Sequence, residues 1–278
     1  MTTVKAALSA TTARLAGLTP CDNPQLDSRL LLQHVSGLSH TQLITRDDSL
    51  LSDEQSVELE SLLTRRETGE PVAYLLGEWG FYDLQLQVNR HVLVPRPETE
   101  QLVEWVFSTI SQVTKPQICD LGTGTGAIAI AIGKHRPDST VTAVDNCPLA
   151  LAVAMENSAR NGTNNVSVKL SSWLASVEDT FDCIVSNPPY IGADEPELAL
   201  LQHEPQQALV AGNSGLADIE EIIEQATQKL TPNGWLFFEH GHLQAEPVAE
   251  LLQRHGYSNI QHRADLSQTV RFTSAQLS

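Results

Sequence analysis

Gln117-Ile118-Cys119-Asp120-Leu121-Gly122-Thr123-Gly124-Thr125-Gly126-Ala127-Ile128-Ala129-Ile130 sets a short apolar run, a loop with three glycines and a second apolar run end to end. The first run is too short for a helix, and Ile118, Cys119 and Leu121 suit a strand buried on both faces. Glycines in the loop permit a tight turn and let backbone N–H groups approach a ligand. The Ala- and Ile-rich stretch from Gly126 to His135 predicts a helix. Strand, glycine loop and helix in this order open a doubly wound α/β sheet.

The same alternation continues towards the C-terminus. Strands are expected at 141–145, 166–170, 181–186 and 235–239, with the last two within 259–275. Helices are expected at 148–161 (Pro148 in its first turn), 216–230 and 246–255. Towards the N-terminus a helix is expected over 98–110. Before it, 81–94 alternates Leu84, Leu86 and Val88 with Gln85 and Gln87, which predicts a β-hairpin ended by Pro95 and Pro97. The first seventy residues read as helices at 4–15, 27–35 and 53–66, the last opened by a Ser52/Gln55 capping pattern. The expected organisation is a helical N-terminal domain (1–70) serving substrate recognition, a β-hairpin linker (71–97) and a catalytic α/β domain (98–278).

Charge narrows the partners. Seventeen Lys and Arg stand against 34 Asp and Glu, a net charge of −17. No Lys or Arg occurs between Lys169 and Lys229, a gap holding 11 acidic residues. Phosphate backbones are bound by basic faces, so no nucleic-acid partner is expected. Cys21, Cys119, Cys147 and Cys183 show no metal-ligand spacing and suit a reducing compartment. His240 and His242 read as surface or loop residues rather than metal ligands, so no metal is expected. Signal-like and membrane-length apolar runs are absent, so a cytoplasmic protein without a membrane partner is expected.

Two stretches carry chemistry. In the glycine loop, Asp145 ends the next strand at the distance where a carboxylate meets ribose hydroxyls. Gly122, Gly124 and Ala127 also satisfy a loose dinucleotide pattern, so a nicotinamide-dependent dehydrogenase stays open. Asp120 favours a different nucleotide: a carboxylate there can receive the ammonium of a methionine moiety but would repel a pyrophosphate. The second stretch is Ser186-Asn187-Pro188-Pro189-Tyr190, after the 181–186 strand. Two prolines fix the turn and offer no donors. The Asn187 side-chain oxygen and the Pro188 carbonyl can each accept one hydrogen of an –NH₂ group, and Tyr190 adds an aromatic face. Such acceptors suit a planar, weakly nucleophilic nitrogen, because they can favour a tetrahedral geometry and aim its lone pair. A structural Pro-Pro turn is the bland alternative, and a binding module that retains the fold is another.

These stretches join Glu70-Pro71-Val72-Ala73-Tyr74-Leu75-Leu76-Gly77, Val94-Pro95-Arg96-Pro97-Glu98-Thr99-Glu100 and Glu204-Pro205 with Ala208, Leu209 and Gly212. Together they resemble the HemK-like release-factor glutamine methyltransferases along nearly the whole chain. The resemblance implies a seven-stranded, Rossmann-like methyltransferase sheet behind a helical N-terminal domain. It implies S-adenosylmethionine as cofactor, held by Gly122, Thr123, Gly124, Thr125, Gly126, Asp145, Trp173 and Asn187. It implies a substrate glutamine in the Gly-Gly-Gln loop of a peptide-chain release factor, gripped by Asn187, Pro188, Pro189 and Tyr190. Adenine methyltransferases of nucleic acid share the Asn-Pro-Pro-Tyr stretch and stay open as an alternative. The chain departs from the family at Ser172, where an acidic residue is usual, and at Leu266–Val270, which puts an altered last hairpin among the expectations.

Overall fold

The computed structural model describes residues 2–18, 21 and 23–277. The chain divides into two compact units, Met1–Glu78 with Ala199–His203, and Trp79–Leu198 with Glu204–Ser278.

The first unit is helical: α1 (Val4–Leu15), α2 (Pro24–Ser36), α3 (His40–Thr45), α4 (Asp53–Glu67) and α5 (Val72–Leu76). Leu15, Leu31, Leu32, Leu43, Leu59, Leu62 and Leu63 form its buried apolar set. Ser52 and Gln55 make the expected capping box, and Ser39 and Gln42 make a second one that starts α3. Helix α2 begins three residues earlier than its apolar period indicates, because Asn23 caps it and Pro24 occupies the first turn. Arg66 and Asp27 pair at 3.0 Å with both side chains largely buried.

The second unit opens with a hairpin of β1 (Glu78–Phe81) and β2 (Leu84–Gln87), turning at Tyr82 and Asp83. It is shorter than the alternation over 81–94 suggests; residues after 87 are irregular. Its Phe81, Leu84 and Leu86 enter the core of this unit. There follow α6 (Thr99–Thr109), β3 (Gln117–Leu121), α7 (Ala127–His135), β4 (Thr140–Asp145), α8 (Pro148–Asn161), β5 (Val166–Leu170) and β6 (Phe181–Ser186). The single turn α9 (Gly212–Gly215), α10 (Ala217–Ala226), β7 (Leu230–Glu239), α11 (Ala245–Arg254), β8 (Tyr257–Ala264) and β9 (Val270–Leu277) complete it.

Seven strands form one sheet in the order β5-β4-β3-β6-β7-β9-β8, parallel except at β9. Side chains alternate between its faces. Ile118 and Cys183 join the cluster built with α6 and α7, while Cys119 and Ile184 join the one built with α10 and α11. Helices on both faces explain why β3, β4 and β6 read as apolar runs.

Two expected bounds are corrected here. The 216–230 helix stops at Ala226, and Leu230 already pairs with Phe181. Strand β7 begins at Leu230 rather than at 235 and carries Pro232-Asn233-Gly234 as an irregularity, with Asn233 at φ 63°. At the tip of the C-terminal hairpin, where the register shifts between Arg263 and Ala264, Asp265 accepts from the Thr269 N–H at 2.9 Å and from Arg271 at 3.0 Å. No helix among the described residues is long and apolar enough to cross a membrane.

Candidate active site

The register of the sheet assembles the site. Leu121 aligns with Val144 on one side and Ser186 on the other. The residues that follow, Gly122, Asp145 and Asn187, therefore emerge together where the strand order reverses, the usual ligand crevice of a doubly wound sheet. A cleft opens there. Gly122, Gly124, Asp145, Trp173, Asn187 and Pro189 line it. Asp120, Thr123, Thr125, Gly126, Pro188 and Tyr190 are not among its lining residues.

Several of those six build the walls. Thr123 donates its N–H to the Val144 carbonyl at 2.9 Å, and its hydroxyl to Asp120 Oδ2 at 2.6 Å. Asp120 Oδ2 also accepts the Ala129 N–H at 3.2 Å, whereas Oδ1 is buried without a hydrogen-bond partner. Burial pushes the Asp120 carboxyl up to about 7 against the pull of Thr123 and Ala129. Asp145 uses one oxygen on the Gly124 N–H and the other on the Cys147 N–H, both at 2.9 Å. Burial still raises its pKa over the opposing backbone donors. Gly122 has φ +70°, a conformation that favours glycine, and its backbone faces the Trp173 ring, which an added Cβ would meet at 3.4 Å. Asp218 lines the cleft with Trp173, and its carboxyl is raised chiefly by burial and then by Glu221.

Asn187 follows β6, whose last residue, Ser186, donates its hydroxyl to the Leu121 carbonyl at 2.8 Å. The Asn187 Nδ2 donates to Thr99 Oγ1 at 3.3 Å. Tyr190 is partly buried, and burial pushes its phenol up. Its carbonyl accepts from Gln244 Nε2 at 3.0 Å.

Other lining residues carry no signal in the sequence analysis: His91, Val92, Leu93, Ser171, Gln207 and Asp218. Fully buried Asn157 is another such residue. It donates to the Thr125 carbonyl at 2.9 Å and exchanges two bonds with the Gln87 backbone, tying the glycine loop to the hairpin's end. His240 lies in the loop that follows β7, as one of the two expected placements has it, but it is fully buried rather than on the surface and bonds Thr273 Oγ1 at 2.7 Å. No group of three or more His, Cys, Asp or Glu among the described residues could hold a metal ion.

The donor set fits a nucleoside with an ammonium-bearing tail. Asp145, Gly122 and Trp173 line one cleft, and Asp120 Oδ1 is a buried acceptor without a partner. A glycine loop, this carboxylate pair and an Asn-Pro-Pro-Tyr turn at the switch point define an S-adenosylmethionine-dependent methyltransferase.

Comparison with known proteins carries the assignment further. A family model described as "PrmC N-terminal domain" matches residues 6–77, and one described as "Methyltransferase small domain" matches residues 99–211. The release factor glutamine methyltransferase of Salmonella typhimurium is 43% identical over 91% of this chain and 92% of its own length. That of Vibrio cholerae is 41% identical over 99% and 96%. A solved methyltransferase from Pyrococcus furiosus shares the fold, with TM-score 0.53 and 18% identity over 81% of this chain and 98% of that one. The chain belongs to the release factor glutamine methyltransferase family.

Proposed function

We propose that this enzyme transfers the methyl group of S-adenosylmethionine to the side-chain amide nitrogen of the glutamine in the Gly-Gly-Gln loop of peptide-chain release factors. One observation carries the reading: Asn187 and Pro189 line the same cleft as Gly122, Gly124 and Asp145, so an amide acceptor stands beside a nucleoside site. The cofactor supplies an electrophilic methyl group on a sulfonium. Asp145 would hold its ribose, Trp173 and Gly122 its adenine, and Asp120 its ammonium, with Thr123, Thr125 and Gly126 shaping the loop. Asn187 Oδ1 and the Pro188 carbonyl would hold the two amide hydrogens of the substrate, and Pro189 and Tyr190 would frame them. Holding those hydrogens orients the nitrogen lone pair. The proton leaves after transfer, so the site needs no strong base.

The helical N-terminal domain (1–70) is assigned to release-factor recognition and the hairpin region (71–97) to the linker. Nucleic acid is not taken as substrate, since the turn lies within a chain segment of 59 residues without Lys or Arg. A release-factor substrate places the enzyme in the cytoplasm. Labelled adenosylmethionine should mark a purified release factor but neither its Gln-to-Ala variant nor DNA. Label on DNA, or on the Gln-to-Ala factor, would overturn the reading.

The Asp120 assignment has its own test. Its carboxyl is raised from 3.8 to about 7, so its contribution to stability is complete below the unfolded value and is lost as pH rises through about 7. A bound ammonium favours the opposite, ionised form. Adenosylmethionine affinity should therefore strengthen about tenfold from roughly pH 5.5 to 7. Asp120→Asn should weaken binding and flatten that slope in a calorimetric titration. A wild-type slope that survives in Asp120→Asn would take the ammonium away from this residue.

A further inference from the structure

Behind Asn187 stands a buried carboxyl that no step above uses. Glu239 ends β7 and is 2% exposed. Its Oε2 accepts the Thr99 hydroxyl at 2.7 Å, and Thr99 Oγ1 accepts Asn187 Nδ2 at 3.3 Å. Thr99 is itself 4% exposed and begins α6, so three residues from three separate elements form one chain of hydrogen bonds. The chain has a polarity. A carboxylate only accepts, so it claims the threonine proton. The threonine oxygen is then left to accept, and it takes an N–H of the Asn187 amide. That fixes which end of the amide faces inward and which faces the cleft.

We propose that Glu239 and Thr99 are positioning residues that lock the Asn187 side chain with its oxygen presented to the substrate –NH₂ group. This rests on the reading of Asn187 given above. A free asparagine amide can turn over and present its own NH₂, which would meet the substrate donors with another donor. Only the oxygen-outward arrangement serves transfer, and the carboxylate selects it from two residues away.

The polarity depends on Glu239 being ionised. Burial chiefly raises its carboxyl to about 7, with Thr99 opposing; among nearby charges Glu98 adds to the rise while Arg271 and Arg96 oppose it. Tyr190 also feels Glu239, but its phenol is pushed up and stays neutral through this range. Below about pH 7 the carboxyl gains a proton that it can donate to Thr99. The threonine hydrogen is then free to turn towards Asn187, and the selection is lost. Turnover at saturating cofactor is therefore expected to fall as pH drops through about 7. Stability runs the other way. A carboxyl whose value is raised on folding contributes below its unfolded value and loses that contribution as pH rises through about 7, so Glu239→Gln should fold normally at neutral pH and above.

The test measures kcat at saturating cofactor and release factor across pH 6–9, on the order of the range around neutrality, together with the Kd for S-adenosylhomocysteine. Thr99→Val and Glu239→Gln should each lose about 10- to 100-fold in kcat, the scale of a misplaced reacting group, with product affinity unchanged. Thr99→Ser should restore most of the rate. The double variant should be no slower than Thr99→Val, because the two act in series. Glu239→Gln should lose the acid limb of the pH profile. An active wild type with an equally active Thr99→Val overturns the proposal, as does an acid limb that persists in Glu239→Gln. A wild type that transfers nothing to the release factor removes the reading beneath it, and the two failures are thereby distinguished.

Discussion

Asn187→Ala is expected to lose about 10²- to 10³-fold in kcat, the scale of removing one preorganised polar group at a reacting centre. Adenosylmethionine affinity should change far less. The geometry separates the two effects. The bonds that shape the nucleoside walls run from Asp145 to Gly124 and Cys147, and from Thr123 to Asp120 and Val144. None of them uses Asn187, whose recorded side-chain bond goes to Thr99. Truncation therefore removes an acceptor for the substrate amide and leaves the cofactor walls standing. Single-turnover methyl transfer and calorimetric titration with S-adenosylhomocysteine measure the two quantities. Near-normal transfer by the variant would remove Asn187 from the chemistry. An equal loss in cofactor affinity would make it a binding residue only.

What the sequence revealed of this site is what short-range physics controls. The Asp120–Gly126 loop and the Asn187–Tyr190 turn are each contiguous, and glycine and proline write their backbone demands directly into the chain. Strands β3, β4 and β6 were legible to within a residue because burial on both faces leaves an apolar run. Helices α3 and α5 were not, because six and five residues are too few to show a period. The supports of the site were hidden for another reason. Asn157 bonds residues 70 and 32 positions away, and Thr99 meets Glu239 across 140. Asp218 and Trp173 come to line one cleft only after the sheet has closed. Pairings of this kind leave no periodic trace. Glu239 reads in sequence as the polar end of a strand, and only its burial shows it to be a constrained charge. Asn233 and Gly234 carry strong turn chemistry, yet sheet pairing on both sides of them overrides it.

Gly215→Ala is expected to damage the catalytic turn from outside the cleft. Gly215 has φ +84°, and a Cβ there would lie 2.0 Å from the Tyr190 carbonyl oxygen and 2.6 Å from Gln244 Nε2. Neither neighbour yields cheaply. The oxygen belongs to the backbone, and the Gln244 amide is already spent on the carbonyls of Tyr190 and Ser214. The preceding Asn213 and Ser214 are left-handed too, at φ 52° and 53°, so the segment cannot relax into ordinary helix without remaking its turn. Relief requires the Tyr190 carbonyl to retreat by about 1 Å, which is the scale at which misplaced groups cost about 10²-fold in rate. Destabilisation of about 2–4 kcal/mol should accompany it, as for other overpacked or strained sites. Gly162→Ala is the control, since Gly162 has φ +70° but nothing within 4 Å of its added Cβ. It should cost only the left-handed penalty, about 1–2 kcal/mol, and leave kcat intact. Denaturant titration and methyl-transfer kinetics on the two variants separate strain from collision. Equal kcat in both would show that the Tyr190 end of the turn tolerates displacement, and that catalysis depends on its Asn187 end alone.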